Sequence, residues 1–596
     1  MAGSHRSSDM GTDASLVTIA AAVVVAAVLW FAGAVSALLS GHRVPPGRPW
    51  AALAAFAHAG DPSAAWQAPV GGPILYWSVT ALVVLALAGS AAGGWWLWHE
   101  GDRRAGDDPT RIEGLADRRD VRAAAGAKSL ADRAATLRPS IKHPVVGDLG
   151  YFLGVAKGVE CWASVEDSIF LLGPPRSGKG LHVVIPAILD APGAVITTAT
   201  RADNLTMSLA ARAAKGPVAV FDPQGLASGV PSPLRWSPIR GCERPQTAMI
   251  RASALCADAG EGTESGAFWK QQTVAAVRCL LHAAALDNRP PADLYRWSLA
   301  APAAGEAVDI LVRSTDAAQA WDRALDAIIS ADQRQRDSVW AMVANAFAAL
   351  ADPHVLDAVS PGPGEQFNPA EFLRSKGTLY LLGTASGAAS TATLVAALVE
   401  DVVEVARRLA AASPGGRLEP PLALILDEAA NYPLPSLPAL MSEGGGTGIT
   451  TMAALQSLDQ ARHRWGRDAA GAIWDSAIVK LVLPGVSNAD DLADIARLIG
   501  DRPERDFSET SQPGGGKSIS SSTRQRPILE PSSLRTLTPG HALVLLRSAR
   551  PMVVNLRPWT ARRDATRLQS DRRHIEAVIR AVAETSLGVT GGLGGA

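Results

Sequence analysis

Cysteine is scarce in this sequence. Of 596 residues only Cys161, Cys242, Cys256 and Cys279 are cysteines, with no C-x-x-C spacing and no histidine paired nearby. That pattern excludes a disulfide framework and a cysteine-built zinc site. It points to reduced thiols in helices and core, on the cytosolic side. Excess charge is also missing: 56 basic residues stand against 57 acidic ones, a net charge of −1. The chain as a whole therefore announces no nucleic-acid partner, although a local basic channel would still serve one.

Two long stretches lack charge altogether. Leu16 to Ser40 is the first and Pro73 to Trp98 the second. Each exceeds the roughly 20 apolar residues that a helix needs to cross a bilayer. Trp95, Trp96 and Trp98 close the second stretch as interfacial anchors. The first is too long for a cleaved signal peptide, its leading segment carries Asp9 and Asp13, and a second span follows. Basic residues set the orientation. Gly41 to Gly72 holds only Arg43 and Arg48, whereas Arg103, Arg104, Arg111, Arg118, Arg119 and Arg122 follow the second span. The positive-inside rule predicts both ends in the cytoplasm, with one short outer loop.

Beyond a charged, Ala-rich linker, a globular pattern starts near Val145. Short apolar runs at Ser168–Gly173, Ala194–Thr198 and Pro217–Pro223 alternate with helical stretches such as Asp203 to Ala214. That alternation predicts an α/β fold with a parallel sheet buried on both faces. From Arg244 to about Ala358 the pattern is helical and rich in Ala and Leu, which predicts an all-helical insertion. Apolar runs return at Thr378–Gly383, Leu422–Glu428, Gly448–Ala454, Ala477–Leu483, His541–Arg547 and Met552–Arg557. Asp506 to Arg526 is polar and rich in Gly and Ser, and reads as a mobile loop; the last ten residues read as disordered.

The chemistry concentrates in three places. "GPPRSGKG" fits a phosphate-binding loop: Gly173, Pro174, Pro175, Arg176, Ser177, Gly178, Lys179, Gly180 and Leu181 lie between an apolar strand and a helix. Gly173 and Gly178 let backbone N–H groups turn toward phosphates, and Lys179 reaches the β- and γ-phosphates. Gly180 stands where a Ser or Thr hydroxyl normally meets Mg²⁺. The metal would then keep an extra water or lean on Asp427, and Mg²⁺ tolerates retained waters. Asp427 and Glu428 end the apolar run Leu422 to Leu426. Asp427 suits a Mg²⁺ ligand, and Glu428 the base that orients and polarises an attacking water. Gln456 ends the following run and is placed to sense a γ-phosphate; Asn431 and Asp222 are weaker candidates. The nucleotide expected is ATP, with Mg²⁺. Trp465, with Arg462, Arg464 and Arg467 in "ARHRWGRD", is the most basic aromatic stretch nearby, and so a candidate grip on single-stranded DNA.

These elements carry a resemblance. "GPPRSGKG", "FDPQG" at Phe221–Gly225, "LDEAANYPLPSLPALMSEGGGTGI" at Leu426–Ile449 and "LQS" at Leu455–Ser457 resemble the type IV coupling proteins of the TraG/TraD family. These are membrane ATPases of conjugation and type IV secretion. The resemblance covers Val145 to about Trp559, together with the paired spans. It implies a membrane anchor over 1–100 (spans 16–40 and 73–98) and a linker over 101–144. It further implies a RecA-like nucleotide-binding domain over 145–240 and 371–560, an all-α insertion over 241–370 and a C-terminal helix and tail over 561–596. It also implies a homo-hexameric ring in the bacterial plasma membrane, with the large domain in the cytoplasm. That ring would hand single-stranded DNA with its attached relaxase to type IV secretion channel proteins. Glycine after the loop lysine is a trait of that family. One departure stands out: Gly445 and Gly446 follow Glu443-Gly444 where many relatives carry an arginine finger, which leaves Arg524 or Arg526 as alternatives. Two other readings compete. One is an FtsK-like double-stranded DNA translocase, which the lack of a winged-helix-like segment weighs against. The other is a non-hydrolysing substrate receptor, which Gly180 and the missing arginine favour.

Overall fold

The computed structural model describes residues 9–46, 49–106, 112–259, 266–383, 390–511 and 517–586. The chain divides into two compact units, Met1–Asp108 and Pro109–Ala596.

In the first unit, two long helices, Asp9–Leu39 and Pro73–Gly106, contain the uncharged stretches. Ala20–Leu39 and Pro73–Trp96 are each long and apolar enough to cross a membrane. At 1.5 Å per residue the shorter one covers about 30 Å, the thickness of a hydrocarbon core. The two are tied together by their own polar groups. Tyr76 donates its hydroxyl to the Leu29 carbonyl at 3.3 Å, and Ser36 donates to the Val70 carbonyl at 2.6 Å. Gly33 is needed where it stands, because a Cβ there would lie 2.5 Å from the Trp66 ring.

The second unit is built on an eleven-stranded sheet. Its strands are β1 (Gly150–Ala156), β2 (Val159–Ser164), β3 (Ile169–Leu172), β4 (Ala194–Ala199), β5 (Val218–Phe221), β6 (Thr378–Leu382), β7 (Leu422–Leu426), β8 (Ile449–Leu455) and β9 (Val479–Val482). A separate polar hairpin, β10 (Asp501–Ser511) and β11 (Lys517–Pro527), comes next, and β12 (His541–Leu546) and β13 (Met552–Asn555) complete the sheet. The order is β2-β1-β13-β12-β9-β3-β8-β7-β4-β6-β5. From β9 to β5 every neighbour is parallel. From β9 to β2 every neighbour is antiparallel. All residues of β3, β4, β6, β7 and β8 are buried, as strands covered by helices on both faces must be. The parallel half is the α/β arrangement that the alternating sequence pattern predicts; the antiparallel flank makes the sheet a mixed one.

Between β5 and β6 the chain forms helices alone among the described residues, including Pro245–Leu255, Gly266–Leu286 and Gln333–Phe347. Asp401, on the buried helix Ala392–Ala411, fastens this segment down. It receives Trp236 Nε1 at 3.0 Å, pairs with Arg240 at 2.9 Å and pairs with the buried Arg251 at 2.9 Å. His282 is equally internal, with Nδ1 bonded to the Cys242 carbonyl and Nε2 accepting the Ala318 N–H. All four cysteines are free and buried, and burial pushes their thiols up to about 11 or 12.

Three sequence expectations are corrected. The globular unit starts by residue 112 rather than near Val145. Leu115, Val121, Ala125, Leu130 and Leu137 are buried, and Asp117 and Asp120 close a capping box on the helix Arg118–Ala125. Asp506 to Arg526 is not a loop, since β10 and β11 pair from Asp501↔Pro527 to Ser511↔Lys517. Their ladder is satisfied by backbone groups alone, so no apolar alternation was needed to write it. β1 and β2 were not anticipated. Their hairpin turns at Lys157-Gly158, both at positive φ, and carries a register shift between Phe152 and Gly154. Residues 512–516, between β10 and β11, and the last ten residues, 587–596, lie outside the described residues.

Candidate nucleotide site

The site forms where β3, β8 and β7 end side by side, at the carboxyl edge of the parallel strands. Open α/β sheets bind ligands at this edge. Gly173 leaves β3 by donating its N–H to the Leu455 carbonyl of β8 at 3.0 Å. The loop then needs two left-handed residues, Arg176 at φ 64° and Gly178 at φ 89°. A side chain at Gly178 would also run into His182, at 2.8 Å. Lys179 folds inward and donates Nζ to the Gly173 carbonyl at 3.0 Å. Behind it the helix begins with a wide π-turn, Gly180–Val184, before the α-helix Ile185–Asp190. Pro186 explains the widening. It has no N–H to give to the residue 182 carbonyl, and its ring would collide with that carbonyl in a regular α-turn.

The carboxylate pair sits opposite. Asp427 is half-buried, and its Oδ1, itself shut off from solvent, has no hydrogen-bond partner. Burial pushes its carboxyl up to about 6, against the opposing pull of Lys179. Burial likewise lowers the Lys179 ammonium, while Asp427 and Glu428 hold it up. Glu428 adopts the left-handed region, φ 51° and ψ 50°, which costs a bulky residue on the order of 1 kcal/mol or more. Its carboxylate is gripped from two sides. Gln456 Nε2 donates to Oε1 at 3.0 Å; Asn431 Nδ2 donates to Oε2 at 3.0 Å.

The structure thus brings together Lys179, Asp427, Glu428, Gln456 and Asn431. Asp222 lies apart from this grouping, accepting the N–H groups of Leu226 and Ala227 at 2.9 and 2.6 Å and so bracing its own turn. Two contributors escaped the sequence reading. Thr200, just past β4, reaches Glu428 Oε2 at 3.4 Å. Tyr432 donates toward the Ala199 and Gly383 carbonyls, at 2.9 and 2.6 Å, and staples the loop after Glu428 to the ends of β4 and β6. The strand order places β4 beside β7, and no local motif reports that.

Most of the basic stretch is engaged within the chain. Arg462 pairs with Asp459 at 2.5 Å and with the fully buried Asp491 at 3.0 Å. Arg464 and Trp465 bond to the Ala430 and Leu434 carbonyls, at 2.9 and 3.0 Å. The glycine in place of the expected finger also has a reason. A Cβ on Gly445 would lie 1.9 Å from the Glu166 carbonyl oxygen, so no side chain fits there. Glu166 itself is held by Arg133 and Arg417.

A phosphate loop on β3, an Asp-Glu pair on β7 and a glutamine on β8, all on one parallel sheet, define the RecA-like class of P-loop NTPase folds. Comparison with known proteins agrees. The chain is similar to the plasmid coupling protein TrwB in complex with a non-hydrolysable ATP analogue: TM-score 0.50, 15% identity, 71% of this chain and 92% of that one. It is equally similar to TrwB in complex with ADP and Mg²⁺: TM-score 0.50, 15% identity, 71% and 91%. No curated protein matches by sequence. Residues 421–539 match the family described as the TraM recognition site of TraD and TraG. The family match is confined to that segment, and the structural likeness, at 15% identity, is a likeness of fold.

Proposed function

We propose that this protein is a membrane-anchored ATPase that couples a DNA substrate to a type IV secretion or conjugation channel. The observation that carries the reading is the convergence of Lys179, Asp427, Glu428 and Gln456 at one sheet edge. In the proposed cycle the loop N–H groups of Gly178 to Gly180 and the Lys179 ammonium hold the β- and γ-phosphates. Glu428 takes the attacking water's proton, with Gln456 and Asn431 fixing the direction of its carboxylate. The orphaned, buried Asp427 Oδ1 fits a Mg²⁺ ion, held directly or through water. When bound, that ion would neutralise charge developing on the phosphates.

The anchor would be the pair Ala20–Leu39 and Pro73–Trp96, with both ends in the cytoplasm of a bacterial plasma membrane. The helices between β5 and β6 would receive the substrate, single-stranded DNA with its relaxase. Residues 421–539 would meet the relaxosome and channel proteins. Ring assembly as a homo-hexamer would supply the central passage. The full chain in detergent micelles should hydrolyse ATP, faster with single-stranded DNA. Lys179→Ala should lower turnover by at least two orders of magnitude, since it removes the charge at the β/γ-phosphates. Equal rates in the two proteins would refute the site. A non-hydrolysing receptor remains the second reading, because Gly180 offers no hydroxyl to a metal; wild-type nucleotide binding without turnover would support it.

A further inference from the structure

The short helix Leu458–Trp465 starts at the candidate nucleotide site and ends elsewhere. Ser457 caps it, its hydroxyl accepting the Gln460 N–H at 3.3 Å. Gln460 in turn accepts the Gln456 backbone N–H at 3.2 Å. The first turn is therefore fixed to the residue that donates to Glu428. Seven residues on, about 10 Å along the axis, two side chains reach the loop that leaves Glu428. Arg464 Nε meets the Ala430 carbonyl, and Trp465 Nε1 meets the Leu434 carbonyl. The same guanidinium extends Nη1 to Asp258 Oδ1 at 3.1 Å. Asp258 belongs to the helical segment between β5 and β6. It follows the helix Pro245–Leu255, whose Arg251 is the one buried against Asp401. Arg462, on the same helix, is anchored to Asp491, so the helix has few ways to move except as one piece.

We propose that Arg464 is a positioning residue that couples the state of the nucleotide site to the all-helical segment. The Leu458–Trp465 helix is the linkage. Gln456 follows the γ-phosphate and Glu428 at one end, and Arg464 passes the displacement to Asp258 at the other. The fork geometry of a guanidinium lets one side chain hold a loop carbonyl and a carboxylate together, which an ammonium at that reach does not. The inference rests on the nucleotide reading of the site and adds how that site is heard by the segment proposed to receive substrate.

Hydrogen–deuterium exchange on the full chain in detergent tests it, with and without Mg²⁺, ADP and beryllium fluoride. In the wild type, peptides covering 171–185 and 245–259 should both gain protection. In Arg464→Lys the first should remain and the second disappear, with ATP KM within about twofold and turnover reduced about tenfold. Asp258→Asn should lose the same second response, and the double variant should be no worse than either single one. The proposal is overturned if 245–259 stays unchanged in the wild type while 171–185 responds. It is equally overturned if Arg464→Lys responds at both peptides as the wild type does. Absence of protection at both peptides in the wild type removes the nucleotide reading along with it.

Discussion

Asp427→Asn should stabilise the nucleotide-free protein while destroying its proposed activity. Asp427 is half-buried, one of its oxygens is enclosed without a partner, and its carboxyl is raised from the usual 3.8 to about 6. A raised acid is a group that folding forces toward neutrality. Below pH 4 the carboxyl is neutral in both folded and unfolded chains and costs nothing. As pH climbs from 4 to 6 the unfolded chain ionises freely and the folded one does not. Above 6 the full penalty applies, about 3 kcal/mol at 1.36 kcal/mol per tenfold. The substitution removes that penalty. The attraction of Lys179 is already contained in that shift, so the gain is at most about 3 kcal/mol. In a unit of this size that is a rise of roughly 1–4 °C in melting temperature. Melting curves of both proteins, recorded without Mg²⁺ or nucleotide at pH 4.5 and 7.5, check it. The gain should be present at pH 7.5 and mostly gone at pH 4.5. A lower melting temperature for Asp427→Asn at pH 7.5, or a shift that ignores pH, would refute the reasoning.

Other expectations are simpler to state. Glu428→Gln should keep nucleotide affinity within a few fold and reduce hydrolysis at least 100-fold, read by nucleotide binding and phosphate release on one preparation. Gly180→Ser should fold normally, because a Cβ there meets nothing nearer than the Ile185 side chain at 3.9 Å, and should tighten Mg²⁺ dependence in a metal titration. Gly445→Ala should lower the melting temperature by several degrees, since its Cβ would sit 1.9 Å from the Glu166 carbonyl oxygen; an unchanged melt would mean that this turn gives way.

The central strands were legible because burial on both faces writes a continuous apolar run into each of them, and the site residues were legible because they punctuate those runs. Asp427, Glu428 and Gln456 each follow directly from a strand end and Lys179 closes the glycine-bearing loop after another, so position along the chain was enough to group them. Thr200 and Tyr432 were not legible. Their roles depend on β4 lying next to β7, a pairing between segments more than 200 residues apart. The β10–β11 hairpin was hidden for the opposite reason: its backbone bonds need no core, so its side chains carry no period. The partners of "ARHRWGRD" were hidden as well. A run of arginines looks solvated or DNA-facing until its carboxylate partners, at Asp258, Asp459 and Asp491, are placed by the fold.

The start of the second unit is laced to its end. Ala116 donates its N–H to the Pro551 carbonyl at 2.9 Å, and β1 lies against β13 with Val155 opposite Asn555. A pull applied to the chain at residue 112 therefore enters through the flank of the sheet. It loads the helix Arg118–Ala125, the β1–β2 hairpin and the last strands in turn, before it reaches β9. The strands that lead to Lys179, Asp427 and Gln456 stand behind that series. In mechanical terms the antiparallel flank would act as strain relief, taking load from the start of this unit ahead of the strands that carry the candidate site.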